Sequence, residues 1–232
     1  MSESQPLSTE LVAPIQFSGR QLAERRIVSH DMADSRPADA FRDLRTQLLA
    51  RQEGRPAVSL VSAVQRHSGG SFVALNLAAA IAFDESRRAV LVDCNLRAPV
   101  LHERLAVKAE RGGLVDYLEG QVERLEDILY PTGVARLMLI PAGQRREASG
   151  ELLDSDRMRM LLDSLRGSDG RCSVVLDGPA VSSSPDARIL SQLADFSVLV
   201  AGYGRETTAA LKEAAAVFDP RRLCGVVFNR VP

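Results

Sequence analysis

The sequence predicts an α/β domain in which a mostly parallel β-sheet carries helices on both faces. Apolar runs of strand length alternate with stretches of helical periodicity along most of the chain. These runs lack the polar–apolar alternation of a half-solvated strand, which indicates that both faces of the sheet are covered. A glycine-containing loop follows the first run, and two later runs each end in an aspartate.

Composition sets the domain organisation and excludes several classes of partner. The chain of 232 residues is 45% hydrophobic, enough for one substantial core. We expect a flexible polar arm over 1–36, with 22–28 able to order against a partner, and a single domain over 37–232. The net charge of -1 gives no general attraction to nucleic acid or anionic lipid. No apolar run reaches the roughly 18 residues of a membrane span, and the polar first residues give no secretory signal, so we expect a cytoplasmic protein without direct membrane insertion.

The elements follow in order along the domain. A first helix begins near Pro37, and its apolar stripe consists of Phe41, Leu44, Leu48 and Leu49. The predicted strands lie at 57–63, 89–93, 137–141, 173–177, 197–201 and 225–229. The predicted helices between them lie at 71–83, 151–165, 186–193 and 206–218. Parallel strands connected in this way end at one edge of the sheet, where ligands bind.

The loop after the first strand reads QRHSGGSF, residues 65–72. A phosphate-binding loop at this place presents backbone N–H groups to phosphates, a lysine to the β- and γ-phosphates and a serine or threonine to magnesium. Gly69 and Ser71 fit that pattern, and the start of the helix favours an anion. Gly70 stands at the lysine position. The alternative is an ordinary glycine turn in which Ser68 or Ser71 caps the helix.

Two predicted strands end in an aspartate at the same edge of the sheet, Asp93 in VLVDCNLRAP and Asp177 in VVLDGPAV. A carboxylate after a fully apolar strand is costly to bury unless it meets a cation or donors. Either aspartate alone could cap a turn or helix. Both together, beside the loop, are typical of a site that positions magnesium and water.

A charged flank lies on the first helix. Asp39, Arg42 and Arg45 are spaced three residues apart in ADAFRDLR, so they share one side of the helix. A solvated charged face is the usual explanation of such a run.

These motifs resemble, over about residues 36–231, the cytoplasmic domain of bacterial tyrosine kinases (BY-kinases) that act with polysaccharide co-polymerases, within the ParA/MinD-like P-loop ATPases. AFRDLRT is similar to the family's helix before the first strand, NLAAAIA to the helix after the loop, and VLVDCNLRAPVLH to its second aspartate motif. GLVDYLEG, LIPAG, ELLDSDRMRMLLDSLR, VVLDGPAV with PDAR, and GVVFNRV follow in the family's order. The resemblance implies a three-layer P-loop NTPase-like fold with ATP or ADP and Mg²⁺ at the loop.

The resemblance also assigns sites. The nucleotide-binding residues would be Arg66, His67, Ser68, Gly69, Gly70, Ser71 and Phe72. The magnesium site would use Ser71, Asp93, Asn95 and Asp177. Asp93 and Asp177 would be the catalytic residues of an active member. The family's Glu-x-x-Arg-x-x-Arg pattern for contact between subunits of a ring reads here Asp39, Arg42 and Arg45.

The sequence departs from the family where the chemistry would occur. An active loop would end Gly-Lys-Ser-Thr, whereas 69–72 read Gly-Gly-Ser-Phe. His67 stands at an earlier glycine position, and Asn95 replaces the second aspartate of the Asp-x-Asp pair. The family's C-terminal tyrosine cluster is not found in the sequence, so we do not expect autophosphorylation of such a tail. Loss of the lysine should weaken nucleotide binding by roughly ten- to a hundredfold, and transfer should suffer more, because charge develops on the γ-phosphate.

The sequence therefore predicts a pseudokinase-like partner of an inner-membrane polysaccharide co-polymerase, with weak or absent ATP/ADP and Mg²⁺ binding. It would bind the cytoplasmic ends of that protein, form a homo-oligomeric ring, and regulate exopolysaccharide (capsule or holdfast type) biosynthesis, chain length or export. One alternative is an active, divergent Mg-ATP-dependent tyrosine kinase or ATPase using Asp93, Asp177, Ser71 and Arg66. Another is a ParA/MinD-type positioning ATPase, which would need an amphipathic membrane helix or a basic DNA-binding patch.

Overall fold

The computed structural model describes residues 16–29, 32, 34–52, 55–166 and 171–230. Its centre is a seven-stranded sheet in the spatial order β3-β4-β2-β5-β1-β6-β7. The strands are β1 (Val58–Ala63), β2 (Arg88–Asp93), β3 (Tyr130–Pro131), β4 (Leu137–Ile140), β5 (Cys172–Asp177), β6 (Phe196–Gly202) and β7 (Leu223–Asn229). Neighbouring strands are parallel except β3 and β4, which are antiparallel.

Helices cover both faces of this sheet, which confirms the predicted fold class. They are α1 (Gly19–Glu24), α2 (Arg36–Arg51), α3 (Gly70–Ala82), α4 (Leu101–Arg104), α5 (Leu114–Leu118), α6 (Leu125–Ile128), α7 (Gly150–Leu153), α8 (Asp156–Arg166), α9 (Asp186–Leu193) and α10 (Thr208–Ala215). One core cluster joins the sheet to α2 and α3, and the other joins it to α8, α9 and α10. None of the helices in the described residues is long and apolar enough to span a bilayer.

The central strand β1 is buried along its whole length because it lies between β5 and β6. Val58 and Leu60 contribute to the core on one face, and Val61 and Ala63 to the core on the other. A strand with both faces covered needs apolar side chains at successive positions, which is why this run shows no polar alternation. The burial of β1 fixes the position of the loop that follows it.

The prediction of a flexible arm over 1–36 is wrong for residues 16–29. Ser18 and Gln21 form a capping box that starts α1, and Ile27 and Val28 are buried in the same core as α2 and α3. Asn76 of α3 holds this segment, because its Oδ1 accepts from the Val28 N–H (2.7 Å) and its Nδ2 donates to the Arg26 carbonyl (3.1 Å). The segment predicted to order against a partner thus packs on its own domain. The remainder of the predicted arm before residue 16 lies outside the described residues.

Two predicted helices differ from those observed. The helix predicted at 151–165 is two helices, α7 and α8, separated at Ser155, whose Oγ accepts from the Met158 N–H (3.2 Å) and so begins α8. The helix predicted at 206–218 begins later, because Thr207 is its N-cap and accepts from the Ala210 N–H (3.2 Å). Glu206 is therefore left outside α10, at the carboxyl end of β6.

Candidate functional site

The carboxyl ends of five neighbouring strands form the candidate site. In spatial order these strands are β2, β5, β1, β6 and β7. The chain places Asp93 at the end of β2, Asp177 at the end of β5 and Asn229 at the end of β7. The loop that follows β1 lies between them, and the segment after β6 lies beside it. This is the edge at which parallel α/β sheets bind ligands.

The loop after β1 keeps the backbone of an anion-binding site. The N–H groups of residues 65–67 and 69–72 have no acceptor among the described residues. His67 and Gly69 have φ angles of 66° and 100°, and two left-handed residues this close together fold the chain into a concave loop. The N-cap of α3 is Gly69, without a side-chain cap. The alternative in which Ser68 or Ser71 caps the helix is therefore wrong.

His67 adopts the conformation that favours glycine. Its φ of 66° agrees with the prediction that this position calls for a bare backbone. A left-handed conformation costs a non-glycine residue roughly 1–2 kcal/mol, so other contacts must hold it. One of these is the hydrogen bond from Arg205 Nη1 to the His67 carbonyl (3.4 Å).

Two further side chains hold the loop from the β6–β7 side. The Ser68 hydroxyl donates to Glu206 Oε1, and Asn229 Nδ2 donates to the Ser68 carbonyl (3.0 Å). Asn229 also covers Gly69, where an added Cβ would lie 2.0 Å from Asn229 Nδ2. Arg205, Glu206 and Asn229 are not among the site residues predicted from the sequence. The one clue was position, since Asn229 ends a predicted strand and the other two come shortly after the end of another.

The lysine position is closely packed. Gly70 begins α3, and an added Cβ there would lie 3.3 Å from both the Cβ and the backbone nitrogen of Ala63. The chain's two lysines, Lys108 and Lys212, are both exposed and lie elsewhere, and Arg66 is exposed as well. No lysine therefore replaces the missing ammonium at the loop.

Phe72 faces away from the predicted nucleotide site. Its ring meets Phe41 of α2 edge-to-face at a centroid distance of 5.9 Å, and it packs on the core of that layer. Its side chain therefore joins α3 to α2. Only its backbone N–H belongs to the loop.

Asp93 and Asp177 are buried and differ in their surroundings. Asp93 accepts from the backbone N–H groups of Asn95 (3.3 Å), Val100 (3.2 Å) and Leu101 (3.2 Å). Burial nevertheless raises the Asp93 pKa to about 7, against the opposing effect of these bonds. Both carboxylate oxygens of Asp177 are buried without a hydrogen-bond partner in the described residues.

The surroundings of Asp177 fit a hard cation. Burial first, and then the charge of Asp93, raise the Asp177 pKa well above its usual range. Ser71 and Arg104 lower it, although the Ser71 hydroxyl is not placed to make a full hydrogen bond. Two carboxylates and a hydroxyl suit Mg²⁺, which takes few protein oxygens and completes its shell with water or phosphate. No group of three His, Cys, Asp or Glu residues suited to a metal occurs in the described chain, so any cation here would depend on such outside ligands.

The structure separates the three charged residues of α2. Arg42 Nη1 pairs with Asp39 Oδ1 at 2.8 Å on an exposed surface. Arg45 Nη1 instead donates to the Ala80 carbonyl in the last turn of α3 (3.1 Å). Arg45 thus supports its own domain, while Asp39 and Arg42 remain on the surface where a subunit contact was predicted.

No family model matches the sequence. The chain is nevertheless similar to several curated tyrosine-protein kinases. Tyrosine-protein kinase wzc of Salmonella typhimurium is 32% identical over 196 residues, covering 83% of this chain and 27% of the relative. Tyrosine-protein kinase etk of Escherichia coli is 32% identical over 212 residues, covering 89% and 28%. The putative tyrosine-protein kinase EpsB of Ralstonia solanacearum is 30% identical over 224 residues, covering 93% and 29%. The chain thus spans under a third of the length of these relatives.

Solved structures share the fold. The kinase domain of Escherichia coli tyrosine kinase ETK matches with a TM-score of 0.73 and 26% identity, covering 95% of this chain and 91% of that one. The BceF tyrosine kinase domain matches with a TM-score of 0.76 and 26% identity, covering 95% and 93%. The cell division ATPase MinD of Pyrococcus furiosus matches with a TM-score of 0.61 and 23% identity over 76% and 72%, which indicates a shared fold alone.

Proposed function

The homologues of this chain are bacterial tyrosine kinases, and from this premise we propose that the chain is a pseudokinase-like partner in exopolysaccharide synthesis. It would bind Mg-nucleotide weakly and transfer no phosphoryl group. Its surface would act on a membrane polysaccharide co-polymerase and so regulate polymer length or export. The proposal transfers a role in polysaccharide synthesis from these kinases to a chain that spans under a third of their length.

One observation carries the proposal: glycine stands at the lysine position, and that position is tightly packed against Ala63. An added Cβ on Gly70 would lie 3.3 Å from Ala63, so Ala63 must shift by a few tenths of an ångström before a side chain fits there. The backbone donors of the loop and the unpartnered Asp177 are retained. Parts that bind phosphate and magnesium thus remain, while the cation that stabilises charge on a transferred phosphoryl group is gone.

When bound, Mg²⁺ with a nucleotide would supply charge neutralisation between the phosphates and the carboxylates. Asp177 would face the cation, and Ser71 would offer its hydroxyl. Asp93 is oriented by three backbone N–H groups and would hold or release a proton according to the charge beside it. The loop amides of 65–67 and 69–72 would orient the phosphate oxygens.

Calorimetric titration with ADP-Mg and ATP-Mg tests the binding half. We expect dissociation constants weaker than about 100 µM for the native chain, and binding tighter by roughly ten- to a hundredfold in Gly70→Lys. Phosphoryl transfer to a tyrosine peptide and ATP hydrolysis should equal those of the Asp177→Ala variant. Turnover in the native chain that Asp177→Ala abolishes would overturn the pseudokinase assignment.

That outcome would favour the second candidate, an active and divergent kinase or ATPase. The observation in its favour is that both aspartates and Ser71 are retained around one buried point.

The proposed interaction with a membrane polysaccharide co-polymerase has its own test. In a pull-down, the purified chain should bind the cytoplasmic segments of a membrane polysaccharide co-polymerase with or without nucleotide. Loss of this binding in Asp177→Ala would show that the interaction needs the nucleotide site.

A further inference from the structure

We propose that Glu206 is a built-in competitor of phosphate: its carboxylate latches the loop after β1 through Ser68 and opposes an anion there. The inference rests on the proposed function only in taking this loop as a phosphate site. It assigns a regulatory role to a residue outside the motifs of the sequence.

The geometry places Glu206 against the loop. It lies in the short segment between β6 and α10, and β6 is the strand next to β1. Its side chain folds back over the end of β6, so an added Cβ on Gly202 would lie 3.4 Å from Glu206 Oε2. Glu206 Oε1 accepts from the hydroxyl of Ser68, which is itself 1% exposed.

The second carboxylate oxygen has no partner. Glu206 Oε2 is buried and accepts no hydrogen bond from the described residues. Neighbouring Arg205 forms no ion pair with it in the part of the chain that the structure describes, and its Nη1 donates to the His67 carbonyl instead. The carboxylate thus accepts from Ser68 through one oxygen and leaves the loop amides without an acceptor, so its negative charge lies beside donors that a phosphate would use.

The negative charge of Glu206 opposes the binding of an anion at the loop. The free amides of His67 and Gly69 flank Ser68, and the Ser68 hydroxyl donates to the carboxylate, so the negative charge is one hydrogen bond away from the residue between these donors. An active loop would offset a nearby acid with its lysine, but position 70 is glycine. A cation at Asp177 would act on the opposite flank, because β5 and β6 lie on either side of β1. A phosphate must therefore displace Glu206 or bind beside its charge.

The direction in which Glu206→Gln changes the nucleotide affinity separates competition with phosphate from simple support of the loop. If Glu206 only holds the shape of the loop, Glu206→Gln should leave nucleotide binding unchanged or weaken it. If Glu206 competes with phosphate, Glu206→Gln should tighten binding, because the amide can still accept from Ser68 without the charge. Repulsion between charges also weakens as salt increases.

Titration of the full chain with ADP-Mg and with pyrophosphate-Mg provides the test. We expect Glu206→Gln to bind both at least about tenfold more tightly than the native chain at low salt, with a smaller gain at about 0.5 M salt. Glu213→Gln, which removes the same charge from an exposed position on α10, should change neither. The proposal is overturned if Glu206→Gln binds these ligands with unchanged or lower affinity, or if Glu213→Gln gains as much affinity.

If the native chain binds too weakly to measure, Glu206 and its Glu206→Gln substitution are compared in the Gly70→Lys background. Tighter binding on adding Glu206→Gln there supports the latch, and no gain overturns it while leaving the nucleotide site in place. Absence of binding in Gly70→Lys with and without Glu206→Gln would overturn the nucleotide site, and the latch with it.

Discussion

Asp93 and Asp177 face each other in register on adjacent parallel strands, and both are buried, yet Asp93 accepts three backbone hydrogen bonds and Asp177 accepts none. The pair is thus asymmetric. Asp93 is satisfied by its own chain, whereas Asp177 is left for a group from outside. A buried carboxylate in this position favours either a proton or a cation.

The first prediction concerns pH. A buried acid with a raised pKa keeps its proton when folded and loses it near pH 4 when unfolded, so its contribution to stability is present below pH 4 and is lost as pH rises through its folded pKa. For Asp93 that window extends to about pH 7, and burial together with the charge of Asp93 also raises the Asp177 pKa well above its usual range. In EDTA, the melting temperature should therefore fall between pH 5 and 8.

Asp177→Asn is the variant that checks this prediction. It removes a charge with no hydrogen bonds to lose, so at pH 8 in EDTA it should be more stable than the native chain by about 2–4 kcal/mol. Added Mg²⁺ should stabilise the native chain and leave the variant unchanged. A melting temperature that falls equally with pH in both proteins would contradict the assignment.

The sequence predicted the fold, and it predicted where Asp93, Asp177 and the loop lie in that fold, because these depend on local pattern. Strands buried on both faces are continuous apolar runs, and Asp93, Asp177 and the loop come directly after such runs. The residues that hold the loop could not be found in this way. Glu206 and Asn229 lie 138 and 161 residues from Ser68 along the chain, and only the β1-β6-β7 order brings them together.

The predicted arm is wrong for residues 16–29 for a related reason. The segment around Ile27 is largely polar, and composition alone favours an arm. Its stability comes from long-range contacts, namely burial of Ile27 and Val28 against α2 and α3 and the two hydrogen bonds of Asn76. A helix cap at Ser18 and Gln21 was the local sign that this segment is ordered.

The second prediction concerns the tightly packed lysine position. Gly70→Lys alone must push its Cβ against Ala63, whereas Ala63→Gly removes one of the two 3.3 Å contacts. The double variant should therefore bind ADP-Mg more tightly than Gly70→Lys alone, with a coupling of about 1 kcal/mol. Titration calorimetry on the four proteins of the cycle measures it. Gly70→Met, of similar length without charge, should gain nothing, and strictly additive effects would show that Ala63 does not close the position.

The third prediction concerns the loop and Asn229. Gly69→Ala should lower the free energy of unfolding by about 2 kcal/mol or more, because φ is 100° and the new Cβ would lie 2.0 Å from Asn229 Nδ2. In an Asn229→Ala background, only the backbone strain should remain, about 1 kcal/mol. Gly204→Ala is the matched control, with a φ of 69° and no atom within 4 Å of its Cβ. Urea denaturation gives the values. A Gly69→Ala cost no larger than that of Gly204→Ala would rule out the steric role of Asn229.

The fourth prediction separates the two arginines of α2. Arg45→Ala should lower the free energy of unfolding by about 1–2 kcal/mol, because it loses a charge-assisted bond to the Ala80 carbonyl at the end of α3. The pair of Arg42 and Asp39, isolated by a double-mutant cycle of Arg42→Ala and Asp39→Ala, should contribute under about 0.5 kcal/mol, because it is exposed, with relative side-chain exposures of 43% and 56%. Light scattering after size exclusion then tests the subunit contact: charge reversal by Arg42→Glu should dissociate any oligomer while the melting temperature stays constant. An oligomer that survives Arg42→Glu but disappears in Arg45→Ala would place the interface elsewhere and make its loss a consequence of instability.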